Sequence, residues 1–203
     1  MKRELLHKLY NEKEREIKKR LESFRELSPD KYREELIFCL LTPQSNAKKC
    51  WEAVEQLRNI ENPSIEAITD VLKKRTRFHN NKARYVMGGI KNWAEIKKSL
   101  DRSDKVEIRN WLAENIKGYG LKEAGHFLRN IGKSDNKIAV LDRHILRNLV
   151  DLEVILPEEA NISKKQDYWK IEQKFLKFSE SINIPIDELD LLFWSNETGK
   201  IFK

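Results

Sequence analysis

The sequence is poor in the features that mark several large protein classes. It has only two cysteines, Cys39 and Cys50, which argues against a disulfide framework, and their spacing does not match a zinc site. No apolar run reaches the roughly eighteen residues that a membrane-spanning helix needs. The apolar stretch near the N-terminus is too short for a secretory signal. We therefore expect an intracellular protein, in the cytoplasm or nucleoid, that does not bind a membrane.

What the chain does contain is charge and helical periodicity. Its 40 Lys and Arg outnumber its 33 Asp and Glu, so the formal net charge is +7. This excess favours a polyanionic partner such as DNA, although a basic but inert surface stays open. Apolar residues recur at helical spacing, as in the first long helix around residues 5–24. Since no alternating strand pattern is convincing, the sequence predicts an all-α fold.

Two local signals make sharper predictions about the middle of the chain. Asn62 is followed by Pro63, which predicts a helix that is capped by the asparagine and has proline in its first position. Gly88 and Gly89 interrupt the helix predicted from Lys82 to Ile96, which indicates either close helix packing or a bend.

The most informative segment is residues 116–124, which read I-K-G-Y-G-L-K-E-A. Two glycines in a tight turn allow backbone N–H groups to approach a phosphate closely, and Lys122 follows in the first turn of the next helix. Asp142 comes twenty residues later, where another helix begins. A lysine amine can attack C1′ of a deoxyribose, and a carboxylate can accept its proton or stabilise the positive charge that develops.

This pattern resembles the helix-hairpin-helix and following Gly/Pro-Asp loop of the DNA glycosylase superfamily, with Lys117 at a position where proline is usual. Three more features resemble its archaeal-type 8-oxoguanine DNA glycosylases, the Ogg2 group: L-L-T-P-Q-S-N-A at 40–47, F-H-N-N-K-A-R-Y at 78–85, and the final Lys203. The resemblance implies two helical lobes around a cleft. One lobe would contain residues 1–42 with 138–203, and the other residues 43–137 with the hairpin at 105–131. The iron–sulfur cluster of some superfamily members is excluded, because no cysteine follows Cys50.

The resemblance also implies a reaction. Lys122 would be the nucleophile and Asp142 its essential partner in an enzyme that removes 8-oxoguanine through a lysine imine and then nicks the abasic site. It would need no diffusible cofactor and no metal for chemistry, and its partner would be double-stranded DNA containing 8-oxoguanine, bound by a monomer. Taken singly, the lysine reads as a solvated side chain and the aspartate as a helix cap. Two other functions stay open: a glycosylase of the same fold for another oxidised base, and a non-catalytic helix-hairpin-helix DNA-binding protein.

Base recognition involves five further residues. By resemblance, Lys203 helps to distinguish 8-oxoguanine from guanine. Trp194 is a candidate stacking platform or a core residue. Pro43 and Gln44 could fill the gap left by an extruded base, or form an ordinary turn. Phe78 is either a wedge in the duplex or part of the core.

The remaining candidates concern the DNA backbone and a cation. Backbone amides near Gly118 and Gly120 are expected to hold the DNA strand. By resemblance, His144 touches a phosphate, unless it is a surface or capping residue. Lys48, Lys82 and Arg84 are candidate strand contacts, or only solvated charges. By position in the family, the carbonyl groups of Glu114, Ile116 and Tyr119 would hold a monovalent cation.

Overall fold

A computed structural model describes residues 3–203, with side chains from Glu4 onward. The described part is all-α, as the sequence predicts, and contains two short 3-10 turns, at Pro29–Lys31 and Pro157–Ala160, but no strand. None of its helices is long and apolar enough to cross a membrane. The α-helices in chain order are α1 (Arg3–Arg25), α2 (Tyr32–Leu41), α3 (Ala47–Arg58), α4 (Ile65–Leu72), α5 (His79–Lys91), α6 (Trp93–Ser99), α7 (Lys105–Asn115), α8 (Leu121–Asn130), α9 (Arg143–Asp151), α10 (Lys165–Ser181) and α11 (Ile186–Thr198).

The chain forms two compact units, which we call the terminal unit and the hairpin unit. The terminal unit contains the described residues up to Glu26 together with Leu128–Lys203, and the hairpin unit is Leu27–Phe127. These boundaries differ from the predicted ones, because α2 belongs with the hairpin and residues 128–137 do not. One physical reason is that the buried Tyr119 hydroxyl of the hairpin donates to the Leu36 carbonyl in α2 at 2.9 Å. Residues 1 and 2, which the sequence assigns to the first lobe, lie outside the described residues.

In the terminal unit, α1 packs along α11. The buried face of α1 contains Leu6, Tyr10, Ile17, Leu21 and Phe24. Helix α11 is buried from Ile186 through Phe193, although three of these residues are acidic. Each carboxylate has a partner, since a buried charge without one is costly: Ser134 donates to Asp187, Tyr10 to Glu188 and Arg129 to Asp190.

In the hairpin unit, α2 is the central element. Its residues from Leu36 to Leu41 are all buried, and α3 and α5 pack against it. Gly89 of α5 permits this packing, because a Cβ there would lie 3.1 Å from Cδ2 of Leu36. Gly89 therefore serves close helix contact, one of the two roles predicted for the glycine pair, whereas a Cβ at Gly88 would meet no heavy atom within 4 Å.

Two predicted helix boundaries are wrong. Helix α5 runs through both glycines and ends at Lys91, and α6 begins after Asn92, so the break lies later than predicted. Asn62 does not cap a helix, because it adopts a left-handed conformation with φ of 47°. The cap of α4 is Ser64, whose hydroxyl accepts from the Ala67 amide at 3.1 Å. A residue that caps a helix through its side chain typically has extended backbone angles, which Ser64 has and Asn62 lacks.

Candidate active site

The predicted hairpin is present as α7, a turn at residues 116–120, and α8. Asp104 begins it by accepting from the amides of Val106 and Glu107 at 2.7 and 3.0 Å. In the turn, the Tyr119 amide donates to the Ile116 carbonyl at 3.0 Å. The turn thus has a fixed backbone, with the amides at the start of α8 available to an anion.

Gly118 is essential to this turn for two reasons. Its φ of +97° lies in a region that side chains rarely adopt, and a Cβ would lie 2.4 Å from Cδ2 of Tyr85 in α5. The Tyr85 ring therefore occupies the space that a side chain at residue 118 would need. The Gly120 amide donates its one hydrogen to Oε2 of Glu123 at 3.1 Å, so the amides that remain for a phosphate near this glycine are those of the first turn of α8.

Lys122 is the second residue of α8, and its side chain is 27% exposed. Its Nζ lies 2.8 Å from Oε1 of Glu123, so one carboxylate both caps the helix and contacts the lysine. Sequence reasoning missed Glu123. The available signal was its place three residues after Gly120, where a glutamate reaches back to cap a helix.

Asp142 belongs to the terminal unit and follows segment 137–141, which has no regular secondary structure. Tyr168 of α10 holds this segment, since its hydroxyl donates to the Ala139 carbonyl at 2.7 Å and accepts from the Leu141 amide at 3.3 Å. Asp142 caps α9 as predicted: its Oδ1 accepts from the amides of His144 and Ile145 at 2.8 and 2.9 Å. Among the described residues, Oδ2 accepts no hydrogen bond, so one carboxylate oxygen remains available for chemistry.

A buried ion pair, Arg129 with Asp190, lies near enough to Asp142 within the terminal unit for the charges to interact. Burial raises the pKa of Asp190 to about 7, the Arg129 guanidinium opposes this shift, and the Asp142 charge adds to it. The ion pair between Arg129 and Asp190 is almost fully buried. Sequence reasoning missed both residues, because neither has a local motif.

The other predicted residues of the terminal unit are placed as follows. His144 is half-buried, with Nδ1 3.4 Å from the Glu197 carboxylate, which Arg147 also contacts at 3.2 Å. Trp194 is partly exposed and follows the buried run that ends at Phe193, so its position is compatible with both predicted roles, a stacking platform and a core residue. Lys203 is buried to 9% exposure, and the preceding Phe202 carbonyl accepts from Arg20 of α1, so the tail folds back onto this helix.

Two loops of the hairpin unit contain the remaining base-recognition candidates. Pro43 and Gln44 lie in the loop between α2 and α3, and Gln44 is exposed with φ of 55°. Phe78 precedes α5, has φ of 56° and is 54% exposed, so the interpretation as a core residue is wrong. The guanidinium of Arg77 lies 5.4 Å from the centre of the Phe78 ring. An exposed aromatic ring on a strained backbone is typical of a binding surface.

Lys82 does not act as predicted. It was a candidate for DNA backbone contact, but it is only 4% exposed, and its Nζ donates to Leu41, Pro43, Ser45 and Thr76 at 2.7–2.9 Å. An ammonium with four acceptors has no hydrogen left for a phosphate. Lys48 and Arg84 are exposed, as a strand contact requires.

Two predictions concern metal ions: that the chemistry needs none, and that backbone carbonyls of the hairpin hold a monovalent cation. In the part of the chain that the structure describes, no group of three His, Cys, Asp or Glu side chains could hold a metal ion. The carbonyls of Glu114, Ile116 and Tyr119 belong to the end of α7 and the turn. The Ile116 carbonyl accepts the Tyr119 amide and retains a second lone pair for a cation.

Known proteins resemble this chain over nearly its whole length. A family model described as 8-oxoguanine DNA glycosylase matches residues 14–184. A Fusobacterium nucleatum protein named 8-oxoguanine DNA glycosylase/AP lyase is 38% identical over 98% of this chain and 96% of its own.

Two crystal structures from Methanocaldococcus jannaschii share the fold. Its 8-oxoguanine DNA glycosylase has a TM-score of 0.85 at 31% identity, covering 98% of this chain and 96% of its own. Its 8-oxoguanine glycosylase/lyase in complex with a 15mer DNA containing 8-oxoguanine has a TM-score of 0.83 at 31% identity, covering 98% and 100%. The matched family model and the full-length relatives show that this chain belongs to the helix-hairpin-helix 8-oxoguanine DNA glycosylase family.

Proposed function

We propose that this protein removes 8-oxoguanine from double-stranded DNA and nicks the resulting abasic site by β-elimination. The observation that carries the proposal is the full-length similarity to relatives named 8-oxoguanine DNA glycosylase/AP lyase. The enzyme would act as a monomer inside the cell, where its DNA substrate is. It uses no diffusible cofactor.

In this proposal Lys122 is the nucleophile. Its Nζ lone pair bonds to C1′ of the lesion nucleotide while the bond from C1′ to the base breaks, and the base leaves with a proton. Opening of the sugar ring and loss of a proton from Nζ give an imine. Loss of a C2′ proton then breaks the bond between C3′ and the phosphate oxygen, which nicks the strand.

Asp142 is the partner group in this chemistry. Its Oδ1 is committed to the cap of α9, which fixes the orientation of the carboxylate. Its Oδ2 is the atom we assign to accept the amine proton or to stabilise positive charge on the sugar. Capping and catalysis are therefore compatible in one residue, because they use different oxygens.

The hairpin and two basic surface residues would hold the DNA. Near Gly118 and Gly120, backbone amides at the positive end of α8 suit a phosphate. A monovalent cation on the carbonyls of Glu114, Ile116 and Tyr119 would link the turn to the same strand. The half-buried His144 and the exposed Lys48 and Arg84 would contact further phosphates.

Residues on exposed loops and in the C-terminal tail would handle the extruded base. Gln44 and Phe78 project from the hairpin unit, where they would fill the gap in the stack and wedge the duplex. Trp194 would stack on the base, since this residue is partly exposed. The Lys203 tail would recognise O8 and N7–H, the two positions that distinguish 8-oxoguanine from guanine.

Borohydride trapping of the imine on lesion DNA tests the nucleophile. Lys122→Gln should abolish trapping and strand cutting while binding of lesion duplex survives. Lys117→Gln is the matched control, because this exposed lysine belongs to the same hairpin and should retain trapping. Equal trapping by Lys122→Gln and the wild type would overturn the assignment, and no trapping by the wild type would favour a non-catalytic DNA-binding protein.

Single-lesion duplexes test the substrate. Cutting should be fastest at 8-oxoguanine, and preference for an oxidised pyrimidine would instead favour the same fold acting on another base. Deleting Lys203 should lower the ratio of activity on 8-oxoguanine to activity on guanine, whereas Lys200→Ala, in the exposed part of the tail, should not. An unchanged ratio after the deletion would remove the tail from base recognition.

A further inference from the structure

The buried ammonium of Lys82 connects three segments of the hairpin unit. Its Nζ donates to the carbonyls of Leu41, at the end of α2, and Pro43, both at 2.7 Å. It also donates to the hydroxyls of Ser45 at 2.9 Å and Thr76 at 2.7 Å. We call these five residues the lysine cluster. Four acceptors share three ammonium hydrogens, so the site is saturated.

The acceptors are also hydrogen-bonded to one another. These bonds join the loop between α2 and α3 to the loop that precedes α5. The hydroxyls of Ser45 and Thr76 lie 2.7 Å apart, and the Arg77 amide donates to the Ser45 hydroxyl at 3.0 Å. Thr76 also reaches the Leu41 carbonyl at 3.1 Å. A displacement of either loop would therefore break bonds made by the other.

Each loop presents one exposed residue with a left-handed backbone. Gln44 lies between Pro43 and Ser45, and Phe78 lies two residues after Thr76. Their φ values are 55° and 56°, and side chains persist in this region only where the surroundings fix the backbone. The lysine cluster supplies these surroundings, because its members flank both residues.

A simpler explanation is that Lys82 only caps α2. A cation near a helix C-terminus is favourable and would account for the bond to Leu41. It would not account for the bonds to Ser45 and Thr76, which join two loops that α2 does not contain. Burial also lowers the pKa of Lys82 to about 8, and Lys122 and Arg77 add to this effect while Cys50 opposes it. An apolar residue would avoid this cost, so the charge serves a purpose beyond packing.

We propose that Lys82 is a positioning residue that holds Gln44 and Phe78 in one fixed arrangement for insertion into the DNA duplex beside the extruded base. The lysine itself touches no DNA. The inference rests on the proposed function, in which these two side chains meet the base stack. Without the lysine cluster, both loops would have to become ordered when the base is extruded. The entropy cost of this ordering would lower the rate of 8-oxoguanine excision from duplex DNA.

The test is Lys82→Met, which keeps the unbranched shape and most of the length of the side chain and removes every donor. Single-turnover excision of 8-oxoguanine from a duplex should fall by about tenfold to hundredfold. Borohydride trapping on single-stranded DNA with an abasic site should stay within about threefold of wild type, because there is no base stack to enter. Lys174→Met, which removes an exposed lysine of the terminal unit, should leave both rates unchanged.

A second comparison asks whether Lys82 acts through the two loop residues. In a Gln44→Ala, Phe78→Ala background, Lys82→Met should cause no further loss of duplex excision. A full additional loss there, wild-type duplex excision by Lys82→Met alone, or an equal loss on both substrates would each overturn the proposal. Should Lys82→Met fail to fold, Ser45→Ala removes the hydroxyl that joins the loops and should give the same selective loss, of about twofold to tenfold.

These experiments separate the inference from the function on which it rests. A wild-type protein that traps on no lesion DNA would refute the proposed function itself. A doubly substituted Gln44→Ala, Phe78→Ala protein with normal duplex excision would refute the insertion of these side chains, and with it the role of Lys82. Loss in the double variant but none in Lys82→Met would refute only the positioning role.

Discussion

Gly118 is the residue at which one added methyl group should most disturb the hairpin. Its φ is +97°, and a Cβ would lie 2.4 Å from Cδ2 and 2.8 Å from Cγ of the Tyr85 ring. These are contacts with a ring rather than with the flexible end of a side chain. Gly118→Ala therefore requires a change in the turn, a displacement of the ring, or both.

The two effects give the expected magnitude. A residue with a side chain in a sparsely populated backbone region costs about 1–3 kcal/mol, and inserting a group into a filled space costs about 1–3 kcal/mol. Partial relaxation makes the sum smaller, so we expect a loss of about 2–4 kcal/mol in the free energy of unfolding. For a chain of this length, each kcal/mol lowers Tm by about 2–4 °C, which gives a decrease of roughly 4–16 °C.

Gly88→Ala is the matched control. Gly88 lies in the interior of α5, and a Cβ there would meet no heavy atom within 4 Å. Alanine should raise the free energy of unfolding by about 0.5–1 kcal/mol. Urea unfolding and thermal scans of both variants measure these changes, and salt-dependent binding of a DNA duplex should weaken only for Gly118→Ala. Wild-type stability of Gly118→Ala would refute both the backbone angle and the Tyr85 contact as the reasons for glycine.

A cap, a buried charge and buried thiols each give a further expectation. Glu123→Ala should lower the free energy of unfolding by about 0.5–2 kcal/mol, because the Gly120 amide loses its acceptor, while Glu123→Gln should lose less than half as much; equal losses in urea unfolding would contradict the cap. The pKa of Lys82 is about 8 in the folded protein and 10.5 in the unfolded protein. Between pH 8 and pH 10.5 the folded protein therefore binds fewer protons than the unfolded protein, so the contribution of Lys82 to the free energy of unfolding rises with pH over this range. The difference in unfolding free energy between wild type and Lys82→Met should therefore grow over this range in favour of wild type, and a constant difference would contradict the burial. Cys39 and Cys50 are fully buried, and burial raises the pKa of Cys50 to about 11, so a thiol reagent should modify neither until the protein is denatured; rapid labelling of native protein would count against this packing.

Features set by neighbouring residues could be predicted from the sequence. Asp104 and Asp142 cap their helices because an aspartate bonds to amides two and three residues ahead. The two glycines of the hairpin and the position of Lys122 likewise depend on a few adjacent residues. The all-α fold follows from periodicity, which is also local. Glu123 could have been found by the same reasoning.

Features set by contacts between distant residues could not be predicted from the sequence. The assignment of α2 to the hairpin unit depends on contacts such as the one between Tyr119 and Leu36, which lie 83 positions apart. The choice between the two roles of Phe78, wedge or core, could not be made from the sequence, because aromatic residues are usually buried and the adjacent residues do not show that this ring is exposed. The cap of α4 was misjudged because Asn62 and Ser64 are both good caps, and only the backbone angles distinguish them.

Lys82 and Lys122 show why the two kinds of feature differ. A nucleophile must reach a substrate, so Lys122 lies at the start of a helix that follows a tight turn. The residues that form this turn and helix start are adjacent to Lys122 in the sequence, and they form the pattern from which it was predicted. A positioning lysine is defined by its acceptors, and those of Lys82 come from residues 41, 43, 45 and 76. The F-H-N-N-K-A-R-Y segment around Lys82 carries a family resemblance, but its residues do not show that the lysine is buried or which groups accept from it. The residues proposed to act on DNA directly are thus recoverable from sequence, whereas those that hold them in place emerge only when the chain is folded.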